Sequence, residues 1–327
     1  MSRDQRMDTV ARIVRPTGYG SPDVLEVVET PVPLPEADGV VVRVRAAGVN
    51  PIDWKLYSGA FHEVDEDEKD AAGLAEELPR LGLECAGVVT AIGADVRDIE
   101  VGAEVIVYPV TGAYADYVTA PVTSLIPKPA ELGWPEAGAL MLTGTTAAHT
   151  LHAAGVGPGD TVLVHGGSGG VGSLVVQLAV AAGATVIATA SAANHELLHD
   201  LGTIPVAYGP GLLDRVRAVA PGPITAAIDC AGGDEALDVS LEVVADPRRI
   251  ASIAASDRHI EAGIKALGYG PGQDAGFAVR NAARAELAAR SGELRILIDA
   301  VYPLTDAAQA HRDGIKGHGP GKLVLVP

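Results

Sequence analysis

Apolar residues fall along this chain in two rhythms. Through the first third they come as short β-branched runs, VARIV (10–14), VLEVV (24–28), VVVRVRAA (40–47), ECAGVVTAI (84–92), AEVIVY (103–108) and AYADYVTA (113–120), with Gly, Pro and Asp between them. Runs so punctuated, with few helical periods between them, predict an irregular antiparallel barrel or sandwich. From Pro135 the texture alternates instead: a helical stretch EAGALMLTGTTAAHTLHAAG, the strand TVLVH, the helix SLVVQLAVAA, the strand TVIATA, then PVAY, ITAAID, RIASIAA and HIEAGIKAL as further strands, with polar helices between. Six strands alternating with helices predict a doubly wound parallel sheet. The remaining residues give a helix near 277–290, a strand near 295–301, a helix near 306–313 and a last strand KLVLVP. The expected division is a β-rich domain over 1–134, an α/β domain over 135–274, and a segment 275–327 that returns to the first.

Composition narrows the function. Hydrophobic residues make up 48% of the 327, too many for a disordered chain. The net charge of −18 repels nucleic acid and anionic membrane surfaces, so neither is an expected partner. Two cysteines, Cys85 and Cys230, cannot build a disulfide framework, and residues 1–9 have no apolar stretch of the kind an export signal needs; both point to the cytoplasm. The uncharged stretch from Thr161 to His195 is broken by glycines and reads as a buried β-α-β unit rather than a membrane span.

Candidate chemistry centres on HGGSGGVG (165–172), in which Gly167, Gly169 and Gly172 fit G-x-G-x-x-G directly after a strand and at the start of a helix. There the backbone amides around Ser168, Gly170 and Val171 would face the diphosphate of a dinucleotide. At the end of the second strand stand Thr189, Ala190 and Ser191, with Asn194 and His195 following and no carboxylate to meet a ribose 2′-OH, which favours NADPH over NADH. Cys230, Ala231 and Ala254, at the ends of the fourth and fifth strands, leave room for a nicotinamide ring, with Cys230 acting as a small hydrophobe rather than a redox thiol.

VRAAGVNPIDWKLYSGAF (44–61), LGLECAGVVTAIGADV (81–96), LTGTTAAHTL (142–151), the glycine-rich segment 162–191 and the closing GKLVLVP together resemble the medium-chain dehydrogenase/reductase superfamily, in its zinc-independent quinone oxidoreductase branch. The resemblance implies a GroES-like catalytic domain, a Rossmann domain, NADPH as hydride donor and a homodimer. Where zinc-dependent relatives carry their ligands, this sequence reads Val49-Asn50-Pro51-Ile52-Asp53, Gly82-Leu83-Glu84 and Leu142-Thr143-Gly144, so no metal is expected. His149, His152 and His311 have no spaced partners that would complete a ligand set.

Without a Lewis acid, oriented donors must stabilise the developing oxyanion. Asn50, Lys55 and Tyr57 are the expected catalytic group, with Asn50 either contacting the nicotinamide ribose or capping the turn before Pro51, Lys55 either a proton donor or a surface lysine, and Asp53 orienting Lys55 or a backbone N–H. Trp54, Phe61 and Tyr108 are expected pocket walls. The resemblance places Thr146 at the nicotinamide side, Tyr208 near the adenosine ribose, and Lys322 either at the 2′-phosphate or closing a strand. The acidic insert 63–77 is expected as a solvated loop, or as a border of the cleft that disfavours anionic acceptors. The expected activity is reduction of a quinone or other conjugated carbonyl, the alternatives being an enoyl or alkenal double-bond reductase and a largely non-catalytic NADPH-binding protein.

Overall fold

The structure is a computed structural model that describes residues 9–60, 78–270 and 272–327. Phe61 and the acidic insert 63–77 lie outside these described residues. The chain divides into two compact units, 1–142 with 298–318 and 322–327, and 143–297 with 319–321.

In the first unit the β-branched runs form β1 (Val10–Pro16), β2 (Leu25–Pro31), β3 (Gly39–Val49), β4 (Cys85–Ile92), β5 (Glu104–Val107), β6 (Tyr117–Pro121) and β7 (Leu125–Pro127), with helices α1 (Pro51–Tyr57) and α2 (Trp134–Ala139). β1 and β2 pair as an antiparallel hairpin. The larger sheet runs β14-β15-β3-β4-β5-β7, with β6 also on β3, once the two late strands β14 (Ile298–Pro303) and β15 (Lys322–Val326) are added. β14 and β15 pair in parallel, so the sheet is mixed rather than purely antiparallel. β3 is its spine: nine of its eleven residues are buried, because it is paired along both edges and covered on both faces. Val40, Val42, Val44, Tyr57, Val89, Tyr114 and Leu325 share one core with α10 (Ala307–Lys316).

The second unit holds α3 (Met141–Ala154, from Thr143 on), β8 (Thr161–His165), α4 (Gly170–Ala181), β9 (Thr185–Ala190), α5 (His195–Asp200), β10 (Ile204–Ala207), α6 (Leu212–Val219), β11 (Ala226–Asp229), α7 (Asp234–Val243), β12 (Ile250–Ser252), α8 (Asp257–Glu261), β13 (Lys265–Ala266) and α9 (Phe277–Ala289). Its six described strands are parallel in the order β10-β9-β8-β11-β12-β13, the Rossmann order, with the reversal between β8 and β11. α4 buries seven of its residues, from Gly172 to Ala179, as its nearly continuous apolar sequence requires.

Two expectations shift. The chain returns to the first unit at Ile298, not at 275, because α9 keeps its buried face, Arg280, Ala283 and Leu287, within the second. HIEAGIKAL is not one strand: a capping box at Ser256 and His259 starts the short helix α8, and only Lys265 and Ala266 pair with β12. Among the described residues no helix is long and apolar enough to cross a membrane.

Candidate active site

In the second unit the strand β8 ends in a tight glycine loop. Gly167 N–H is used by Thr189 O at 2.9 Å and Gly169 N–H by Gly166 O at 3.1 Å. The N–H groups of Gly170, Val171 and Gly172, in the first turn of α4, have no acceptor among the described residues; Ser173 N is the first to bond back into the helix, to Gly169 O at 2.9 Å. A Cβ on Gly172 would stand 2.1 Å from Gly166 O, and one on Gly167 would stand 2.9 Å from the Ala188 side chain. The loop can therefore close this tightly only without side chains at those positions, and it presents unpaired N–H groups and a helix dipole to an anion. These features fit a dinucleotide diphosphate. Gly321 N–H donates to Ser168 O at 3.0 Å and ties the tail to the loop.

Ser191 begins the turn after β9, and Asn194 Nδ2 reaches back to Ser168 Oγ at 3.2 Å. His195 Nε2 is buried without a hydrogen-bond partner among the described residues, while Tyr208 is 61% exposed. Beyond β11, Asp229 organises the crossover: it accepts from Ala231 N and Gly232 N at 3.0 and 2.8 Å and from Ser252 Oγ at 2.8 Å, and Ala254 N donates to that Ser252 oxygen at 3.1 Å. Burial first, and then the Asp229 charge, hold the Cys230 thiol far above its usual range, so it is no thiolate. Thr146 is buried on α3, where its Oγ1 accepts from Arg280 Nη1 at 2.7 Å.

The first unit carries a different kind of cluster. Lys322 Nζ is buried and donates to Val49 O and, at 2.6 Å, to Asn50 Oδ1. Asn50 Nδ2 donates to Gly48 O at 3.2 Å and Glu84 Oε1 at 3.1 Å, and Glu84 Oε2 accepts from Leu142 N at 2.8 Å. Burial raises the Glu84 carboxyl and lowers the Lys322 ammonium, and in each case the opposite charge pulls back toward the ionised form. Asp53, fully buried, accepts from Asn50 N at 2.9 Å, Gly82 N at 3.0 Å and Tyr114 Oη at 2.8 Å; desolvation still pushes it up to about 6. Tyr57 Oη lies 2.8 Å from His311 Nδ1, and His311 Nε2 lies 3.3 Å from Tyr114 Oη. Since Tyr114 donates to Asp53, His311 donates from Nε2 and accepts from Tyr57, one directed chain ending on a carboxylate.

This geometry revises several expectations. Lys322 is enclosed by Val49 O and Asn50, so it closes a strand and is not available to a 2′-phosphate. Asn50, 1% exposed, has its amide group occupied by Lys322, Gly48 and Glu84. Tyr57 faces the core against His311, with rings stacked 5.5 Å apart, so its hydroxyl is no free proton donor. Asp53 orients backbone N–H groups and not Lys55, whose exposed side chain makes no hydrogen bond among the described residues. Trp54 packs edge-on to His311 at 5.8 Å, and Tyr108 is 7% exposed. Glu84, Tyr114 and His311 were not expected in the cluster: nothing local marks a glutamate in a strand approach or a histidine on a helix as the partner of a residue over 30 positions away.

Residues 36–130 match the alcohol dehydrogenase GroES-like domain, and residues 206–325 match a domain described as zinc-binding dehydrogenase. The quinone oxidoreductase of Coxiella burnetii is 32% identical, with 97% of this chain and 99% of that one covered and a TM-score of 0.78. This chain belongs to the medium-chain dehydrogenase/reductase family, in its quinone oxidoreductase branch. It is an oxidoreductase. Mycobacterial Rv1454c, solved in complex with NADPH, is 28% identical over 97% of this chain and all of that one, with a TM-score of 0.78. The CurK enoyl reductase is 26% identical over 98% and 99%, with a TM-score of 0.81. A nicotinamide cofactor follows from the family and fits the glycine loop. Zinc does not fit the described residues: no group of three or more His, Cys, Asp or Glu stands where it could hold a metal.

Proposed function

We propose that this protein transfers hydride from NADPH to a quinone or another conjugated carbonyl. The observation that supports this reading most is the Gly166–Gly172 loop, whose free N–H groups stand at the carboxyl edge of β8 beside the reversal in strand order. The bound nicotinamide supplies the hydride. The protein's part is to hold the diphosphate on Gly170, Val171 and Gly172 N–H and to keep the ring end bordered by the small residues Ala231 and Ala254. NADPH is favoured because the end of β9 offers no carboxylate and because His195 Nε2, buried and without a partner, can donate to a 2′-phosphate.

Lys55 is the member of the expected catalytic group whose side chain is exposed and uncommitted among the described residues, so it is the proposed source of the proton. Replacing Lys55 by Met should lower kcat on all acceptors; unchanged turnover would remove it from the mechanism. Asn50 and Tyr57 act as a frame beneath α1 and not as reacting groups.

An enoyl reductase is the second reading, favoured by the likeness to CurK, because the same hydride geometry serves an activated C=C. A spectrophotometric panel of quinones, enones and enoyl thioesters, run with NADPH and NADH, separates the two. Turnover on quinones with tighter binding of NADPH is expected. Tighter NADH would overturn the cofactor choice, and turnover confined to enoyl thioesters would overturn the acceptor class. A homodimer in the cytoplasm completes the proposal, with gel filtration against a monomer standard as its check.

A further inference from the structure

Arg280, on α9, is a buried cation without a counter-ion among the described residues. Its side chain belongs to a residue only 6% exposed, Nη1 donates to the neutral Thr146 Oγ1, and Nε is buried with no hydrogen-bond partner. The remaining nitrogen, Nη2, makes no hydrogen bond among the described residues. Asp274 feels the charge of Arg280, but that carboxylate is held elsewhere, by Gly276 N at 2.8 Å and His149 Nε2 at 3.1 Å, and forms no ion pair with Arg280. The chain has acids in excess, 42 against 24 Lys and Arg, yet among the described residues none forms an ion pair with this guanidinium. An unpaired buried charge is costly, and natural sequences retain one where a partner arrives from outside.

The open edge, Nε with Nη2, is the edge of a guanidinium that grips an oxyanion with two parallel N–H groups. Beside it stand two partly exposed rings: the guanidinium carbon lies 5.9 Å from the Tyr269 ring centre, and Tyr269 lies 6.0 Å from Phe277. Tyr269 is 48% and Phe277 70% exposed. A flat conjugated body carrying a carboxylate satisfies both features, the rings by stacking and the guanidinium by pairing. No partner of Arg280 among the described residues belongs to the glycine loop or to the turn after β9, where the reading above puts the phosphates of the cofactor.

We infer that Arg280 anchors a carboxylate on the acceptor, so that the favoured substrates are anionic conjugated carbonyls. This rests on the hydride-transfer reading above. The probes are 3-benzoylacrylate, an enone acid, its uncharged ethyl ester, and 3-benzoylpropionate, the saturated acid that cannot accept hydride. Wild type should prefer the acid to the ester in kcat/KM, and Arg280→Gln should reduce that ratio by about thirtyfold or more, with Arg280→Lys in between. By calorimetry, 3-benzoylpropionate should bind wild type and be lost in Arg280→Gln. Because no acid pairs with the cation among the described residues, and glutamine can still donate to Thr146, Arg280→Gln should not lower Tm, whereas a merely structural arginine would. An unchanged acid-to-ester ratio, failure of wild type to bind 3-benzoylpropionate, or a selective loss of NADPH affinity in Arg280→Gln would each overturn the anchor. If no acceptor of any charge is reduced, the hydride-transfer reading fails, while the calorimetric result still decides whether Arg280 holds a carboxylate.

Discussion

The two units handle buried polarity in opposite ways. In the first, Lys322, Asn50, Glu84, Asp53, Tyr114, His311 and Tyr57 are all buried and answer one another's donors and acceptors. In the second, the N–H groups in the first turn of α4, His195 Nε2 and Arg280 Nε are left without partners among the described residues. A closed network fixes a shape; an open set of donors describes what is missing from it. The difference teaches that residue chemistry alone is a poor guide to a catalytic role here: Lys322, Tyr57 and Asn50, which look reactive, spend their polar groups on one another's network, while the donors left open in the second unit include plain backbone amides.

The sharpest way to break the closed side is Lys322→Met. It leaves the Glu84 carboxylate buried with the neutral donors Asn50 Nδ2, Leu142 N and Met141 N, and Asn50 Oδ1 without its lysine donor. Removing one partner of a buried charge pair costs about 3–5 kcal/mol, so urea unfolding should show a loss of that size. Glu84→Gln added to it should recover part of the loss, since the orphaned charge is then gone. A loss below about 1 kcal/mol in the single variant would mean the ammonium is not the keystone of this network.

On the open side the corresponding change is Gly172→Ala. The added Cβ meets Gly166 O at 2.1 Å, backbone against backbone, so the loop must open and its N–H groups must diverge. NADPH affinity, followed by fluorescence titration, should fall about a hundredfold, with stability lowered by about 1–3 kcal/mol. Wild-type affinity in this variant would remove the diphosphate from the loop.

These two sites were unequally legible in the sequence. The glycine loop could be read because its signal is contiguous: a strand, three glycines at fixed spacing and a helix all fall within about 30 residues, and two of the glycines, Gly167 and Gly172, have a local steric reason. The doubly wound parallel sheet followed from the alternation of strands and helices from β8 onward. The closed network could not be read, because its partners lie far apart in the chain; Lys322 meets Asn50 across 272 positions and Tyr57 meets His311 across 254. Burial was equally hidden in α1: the helix PIDWKLY turns Asp53 and Tyr57 inward and Lys55 outward, and only the core beneath it decides which face that is. Arg280 was passed over for the same reason, since in sequence it is one more basic residue on the polar helix α9.

The smallest expected effect tests whether the closed network is as balanced as its hydrogen bonds suggest. Asp53 is raised by burial to about 6 and His311 is lowered by burial to about 4. For Asp53 the sign is that of a raised acid: its contribution is full below the ordinary carboxyl range and is lost as pH rises through about 6. For His311 it is that of a depressed base: its contribution is full above the ordinary imidazole range and is lost as pH falls through about 4. Between those values acidification therefore strengthens the fold through Asp53 and weakens it through His311. At about 1.4 kcal/mol per pH unit over roughly two units, each slope amounts to about 3 kcal/mol and the two nearly cancel. The wild type should accordingly show a change of under about 1 kcal/mol from this pair between pH 6 and pH 4. Asp53→Asn removes the compensating half, so that its stability, whatever its absolute value, should fall more steeply than wild type over that window in urea titrations at each pH. Parallel curves for the two proteins would show that Asp53 does not titrate inside the network and that the chain from Tyr57 to Asp53 ends on a permanently charged carboxylate.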